Sequence, residues 1–135
     1  MSDKRNEIEK ETDRMSKEII DLRKEEIINA CEKLYENNSF KDITIKSIGE
    51  KTTFSRTSIY NYFQTKEEIF LALFKREYEI WTNDLNQMYE ENSTMTKEIF
   101  ADKLAKTVAK RKNLLKLLSM NMYDMEENSR MEELI

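Results

Sequence analysis

A chain of 135 residues has room for one domain, or for a small domain with part of another. With no proline, one glycine and 37% charged residues it reads as all-α, and no alternating β-branched run is long enough to build a sheet. The absence of histidine and of any glycine-rich phosphate loop, with a single cysteine, removes the usual bases, nucleophile pairs and metal sets, so the reading is no enzyme, no cofactor and no metal.

Met1 to about Met15 alternates acids and bases with little apolar periodicity. Lys4, Arg5 and Arg14 would suit a basic arm reaching for phosphate, but five acids in the same stretch favour a plain helical extension, taken here as residues 1–16. From about Lys17 a helical stripe forms through Ile20, Ile27, Cys31, Leu34 and Tyr35. It ends at Asn37-Asn38-Ser39, after which Phe40 and Ile43 fold back. Cys31 on that inner face reads as a small buried hydrophobe.

Residues 44–66 carry the main motif. Thr44 stands as the N-cap of a short helix with an apolar edge of Ile45 and Ile48. Thr52-Thr53-Phe54 breaks it, and Ser55 caps a second helix in which Ile59 and Phe63 share one side. At helical pitch Thr57, Ser58 and Asn61 point the other way, flanked by Arg56, Tyr60 and Tyr62. A helix of that length spans roughly 11–14 Å, comparable with the width of a DNA major groove. This is a helix-turn-helix pattern, so the domain is placed at residues 17–65.

Ile48-Gly49, Phe54-Ser55, Ile59-Tyr60-Asn61-Tyr62-Phe63 and Lys66-Glu67-Glu68-Ile69 resemble the signature of TetR-family transcriptional regulators. Ile27-Ile28, Ala30-Cys31, Leu34-Tyr35 and Phe40 are similar to the family's first helix. The resemblance is continuous over residues 22–75, about 40% of the chain. It departs from the family at two points. Thr53 stands where the turn normally has glycine, which implies strain if that residue adopts positive φ. Gly49 stands where alanine is usual, at some cost in helix propensity.

Thr65 and Glu68 form a capping box that opens a fourth helix, expected to run to about Glu90 with Phe70, Leu73, Phe74, Trp81, Leu85 and Met88 on one side. A fifth helix runs from Thr96 to about Lys110, with Ile99, Phe100, Leu104 and Val108 inward. Leu114, Leu117, Leu118 and Met122 begin a sixth. Ser129 and Glu132 form another capping box about one turn before Ile135. Since the family is usually longer, the expectation is a shortened regulator. Residues 66–135 would then be a connector helix and an incomplete effector-binding and dimerisation domain, leaving an apolar flank at Leu114, Leu118, Met122 and Met125. Six of the eight methionines lie beyond the helix-turn-helix, where gap-filling core is favoured over an effector pocket.

The net charge of −4 is unevenly spread. Residues 38–66 hold five bases (Lys41, Lys46, Lys51, Arg56, Lys66) against two acids, whereas residues 67–135 hold ten bases against fourteen acids. A basic tip on an acidic body suits a DNA reader. No apolar stretch spans a bilayer and no signal peptide opens the chain, so a cytoplasmic protein with no membrane partner is expected. The resemblance implies a repressor that binds a palindromic operator in double-stranded DNA as a homodimer, released by a small-molecule effector. Carried over by position, Thr44, Tyr60 and Lys66 would hold phosphates, and Lys46, Arg56, Thr57, Ser58, Asn61 and Tyr62 would face base edges or the nearby backbone. The other class left open is a helical interaction module without operator binding, which would show no salt-dependent binding to a palindrome.

Overall fold

The computed structural model describes residues 2–91 and 94–119, and among these every regular element is helical. The elements are α1 (Ser2–Tyr35), a 3-10 turn (Phe40–Asp42), α2 (Ile45–Glu50), α3 (Arg56–Ile59), α4 (Lys66–Glu91), α5 (Lys97–Ala109) and α6 (Lys112–Leu118). They divide into two compact units, Met1–Gln64 and Thr65–Ile135.

In the first unit α1 packs on α2, and α2 on α3. The buried positions are Ile27, Ile28, Ala30, Cys31 and Tyr35 of α1, Ile43, Ile48, Ile59 and Phe63. Each completely buried aliphatic or aromatic side chain contributes about 1.5–3 kcal/mol by leaving water. Burial also pushes the Tyr35 phenol above its ordinary pKa, with a smaller contribution from neighbouring Cys31. One unbroken helix runs from Ser2 to Tyr35, so the stretch before Lys17 is helical, as a plain helical extension would be. One expectation for α1 needs correction. Ile20 does not join the inner stripe: it is 43% exposed, and burial begins at Ile27.

The turn between α2 and α3 also differs from expectation. No non-glycine residue among those described has positive φ, so Thr53 carries no left-handed strain. The break is made by side chains instead. Thr52 Oγ1 donates to the Gly49 carbonyl (2.9 Å) and accepts from the Phe54 N–H (3.1 Å). Thr53 donates both its N–H (2.9 Å) and its hydroxyl (3.0 Å) to one carboxylate oxygen of Glu26 on α1. A threonine can therefore stand where a glycine turn would need none of these bonds.

In the second unit α4 packs with α5 and α6, and α5 with α6. The expected capping box opens α4: the Glu68 carboxylate accepts from the Thr65 N–H (2.9 Å), and Thr65 Oγ1 accepts from the Glu68 N–H (3.2 Å). Thr96 caps α5 by accepting from the Ile99 N–H (3.2 Å). Trp81 Nε1 donates to Thr107 Oγ1 (3.2 Å), and Arg111 donates to Asp84 through Nε and Nη2 (2.8 and 2.6 Å). The inward set on α5 and α6 is not the expected one. Ile99 and Phe100 are exposed, Leu104 and Val108 are half-buried, and Leu114 is buried beside Leu117 while Leu115 and Leu118 face out. Met122, Met125 and the Ser129–Glu132 box lie outside the described residues.

Candidate nucleic-acid interface

Thr44 and Ser47 build the start of α2 reciprocally: Thr44 Oγ1 accepts from the Ser47 N–H (3.1 Å), and Ser47 Oγ accepts from the Thr44 N–H (2.9 Å). The helix then rises away with Lys46 exposed on its first turn. Ser55 does the same for α3, accepting from the Ser58 N–H (3.2 Å). These caps satisfy donors that a helix start leaves without partners.

Gly49 sets how closely α2 and α3 approach. A Cβ at this buried position would lie 3.3 Å from Ile59 Cδ1 and 3.6 Å from Arg56 Cα. The start of α3 therefore rests directly on α2, and Arg56 leaves that contact facing solvent.

The regular part of α3 is shorter than expected, four residues or roughly 6 Å at 1.5 Å per residue. Helical winding continues as tighter turns: the Asn61 N–H bonds to the Ser58 carbonyl (3.1 Å), and those of Tyr62 and Phe63 bond to the Ile59 carbonyl (2.8 and 3.0 Å). Gln64 Nε2 then donates to the Tyr60 carbonyl (2.8 Å), closing the end.

Arg56, Thr57, Tyr60 and Asn61 are exposed along this segment, and Thr44 and Lys46 are exposed on the neighbouring helix start. Ser58 is half-buried, with its hydroxyl 3.0 Å from that of Ser55. Tyr62 is half-buried as well, and its hydroxyl accepts from Arg23 Nη1 (3.0 Å). Lys66 belongs to the second unit, half-buried in the first turn of α4. Six of the nine sequence-derived residues are thus exposed in the first unit, where the exposed lysines 41 and 51 add positive charge.

Two residues of α1 escaped the sequence reading. Arg23 bonds Tyr62 and lies over the Phe54 ring, 5.7 Å from its centroid, while Phe54 sits 6.3 Å from the Tyr62 ring. Glu26 anchors Thr53. Both brace the segment that carries Arg56 and Thr57. Neither stands out in a stretch of mixed charge, because partners 27 to 39 residues away leave no local signature.

Residues 27–73 match the family model for bacterial regulatory proteins of the tetR family. An 80-residue stretch, 59% of the chain, is 29% identical to the uncharacterized HTH-type transcriptional regulator YfiR of Bacillus subtilis (strain 168), and covers 39% of that protein. The matched segment begins at the buried face of α1, includes both caps and the whole of α2 and α3, and ends within α4. The helix-turn-helix segment at residues 27–73 is therefore similar to bacterial regulatory proteins of the tetR family.

Proposed function

We propose that this chain reads operator DNA for a non-enzymatic transcriptional regulator, as a repressor acting in the cytoplasm. The observation that carries the reading is the α2–α3 pair itself, a capped helix-turn-helix presenting Lys46, Arg56, Thr57, Tyr60 and Asn61 to solvent with no acid among them. Arg56 has the reach and donor geometry to read guanine, and Thr57 and Asn61 offer hydrogen bonds to neighbouring base edges. Lys46, Thr44 and Tyr60 would hold phosphates, as would Lys66. Ser58 and Tyr62 would act through the shape of the segment, since both side chains already have partners within the unit.

Regulation of this kind requires two heads on a palindrome, so the working form would be a homodimer. An effector would act through the second unit. A groove of about 280 Å³ lies there, lined by Asp84, Gln87, Met88, Lys103, Lys106 and Thr107 among others. Its mixed charges favour a polar or ionic effector over a greasy one.

Selection of bound sites from random DNA tests the reading directly. A palindromic consensus is expected, with affinity falling as salt rises. Arg56→Ala should relax preference at one symmetric base position, a loss of about 1–3 kcal/mol of discrimination. Lys46→Ala should weaken binding to all sequences and reduce the salt slope by about one per head. Equal losses on operator and scrambled duplex for Arg56→Ala would assign that residue to the backbone, and no salt-dependent binding at all would sink the reading.

A further inference from the structure

The first two-thirds of α1 has a pattern that the head does not use. Every residue from Lys4 to Arg23 is exposed, and this stretch lies before the segment that matches the family at residues 27–73. Ile8, Met15, Ile19 and Leu22 are between 49% and 70% exposed. Their spacing, with Thr12 between them, is four, three, four and three residues. That is the alternation of a heptad seam, with Ile8, Met15 and Leu22 at d positions and Thr12 and Ile19 at a positions. At about 100° per residue this stripe lies roughly 150° around the helix from Ile27, Cys31 and Tyr35, which face the head. It is not an extension of the head's own core.

We infer that this stripe is a self-association surface, closed by the same stripe of a second copy of the chain in a parallel, in-register coiled coil. The flanking charges choose both the occupant and the direction. In a parallel pair each g position faces the e position five residues on in the partner helix. Lys4 then faces Glu9 and Glu18 faces Arg23, two attractions each made twice by symmetry, while Glu11 faces the neutral Ser16; Arg5, the a position before Ile8, meets its own copy only at the open end of the seam. In an antiparallel pair, g positions face g positions, and Glu11 would meet Glu18 twice. Of the positions farthest from the seam, Lys10 and Lys17 are exposed, as a solvated outer face requires, and Lys24 is half-buried over the Phe63 ring, where the helix joins the head. Isoleucine at a and leucine at d, as at Ile19 and Leu22, favour two strands.

Two local details fit the pairing. The Thr12 hydroxyl donates to the Ile8 carbonyl of its own helix (2.9 Å), so a seam threonine buries no unsatisfied donor. Arg23 also bonds Tyr62, but a guanidinium has five N–H donors and that bond uses one. A seam of five layers, two heptads from Ile8 to Leu22, is short, so the association is expected to be reversible and concentration-dependent. It would bring the two heads together at the same end of the paired helices, whatever the second units do.

Analytical ultracentrifugation of the whole chain over a concentration series tests this, with circular dichroism as a check on the fold. The wild-type chain should show a monomer–dimer equilibrium. Ile19→Glu places a charge in the seam and should weaken it at least about tenfold while the head melts as before. Lys4→Glu and Glu9→Lys should each weaken it about two- to fivefold, and the double exchange should restore it. A Thr12→Cys chain should crosslink to itself under mild oxidation, because in register the two a positions are adjacent; Cys31 is buried and supplies no competing thiol. A monomer at every concentration, a dimer indifferent to Ile19→Glu, or a double exchange that fails to restore association would each overturn the inference. So would a lowered melting temperature of the head in Ile19→Glu, which would mean that the stripe packs within its own chain.

Discussion

The α2–α3 pair and the α5–α6 pair are both short helices that bury apolar side chains, yet only the first could be oriented from its own residues. In α2, α3 and the turns that follow, the expected inward residues Ile48, Ile59 and Phe63 are completely buried and Ile45 half-buried, and of the expected outward residues Thr57 and Asn61 are exposed and Ser58 is half-buried. In α5 the expected inward residues Ile99 and Phe100 face solvent, and in α6 Leu114 lies inside where an open flank was expected. The difference lies in how crowded each helix is. A six-residue helix between a capping threonine and a tight break offers few apolar positions, so the face is unambiguous. The thirteen-residue α5 spreads apolar residues and alanines around its circumference, and its neighbours choose among them.

The sharpest test of that contrast pairs Ile59→Ala with Phe100→Ala. Truncating completely buried Ile59 should cost about 2–5 kcal/mol in denaturant unfolding, whereas Phe100→Ala should stay within about 0.5 kcal/mol of wild type, as surface changes do. Comparable losses would mean that α5 is packed as tightly as the head and would erase the distinction.

A smaller effect comes from the brace beneath the turn. Glu26→Ala removes the acceptor for both Thr53 donors and should cost about 1–2 kcal/mol, since hydrogen bonds to a partly exposed carboxylate are stronger than neutral ones but screened. Thr53→Val keeps the backbone bond and loses only the hydroxyl, for about 0.5–1.5 kcal/mol. Thr53→Gly should also destabilise, because there is no positive φ for glycine to relieve and its unfolded chain has more freedom. A rise in melting temperature for Thr53→Gly would show that the turn is strained after all.

Smallest is Gly49→Ala. Alanine gains about 0.5–1 kcal/mol of helix propensity, but its Cβ would press on Ile59 Cδ1 at 3.3 Å, inside the buried core. The net change should be near zero. In an Ile59→Val background, which lacks that methyl, Gly49→Ala should recover most of the propensity gain. An alanine that destabilises equally in both backgrounds would place the obstruction at the Arg56 backbone instead.

What the amino-acid sequence determined by itself is where α2, α3, α4 and α5 begin. Thr44, Ser55, Thr65 with Glu68, and Thr96 each cap through bonds spanning three residues, and a bond that short depends only on local backbone geometry. The exposed group around Arg56 was legible for the same reason, since one turn of helix fixes its relation to Ile59. Only the tertiary structure decided that Glu26 holds the turn at Thr53, that Arg23 occupies Tyr62, and that Trp81 and Arg111 tie to Thr107 and Asp84. Those pairs join residues 26 to 39 apart in the chain, and which of many similar acids, bases and hydroxyls meet is settled when the helices pack. Packing likewise decided the fate of equivalent apolar stripes on α1: Ile27, Cys31 and Tyr35 found a core within the unit, and Ile8, Met15, Ile19 and Leu22 were left facing solvent.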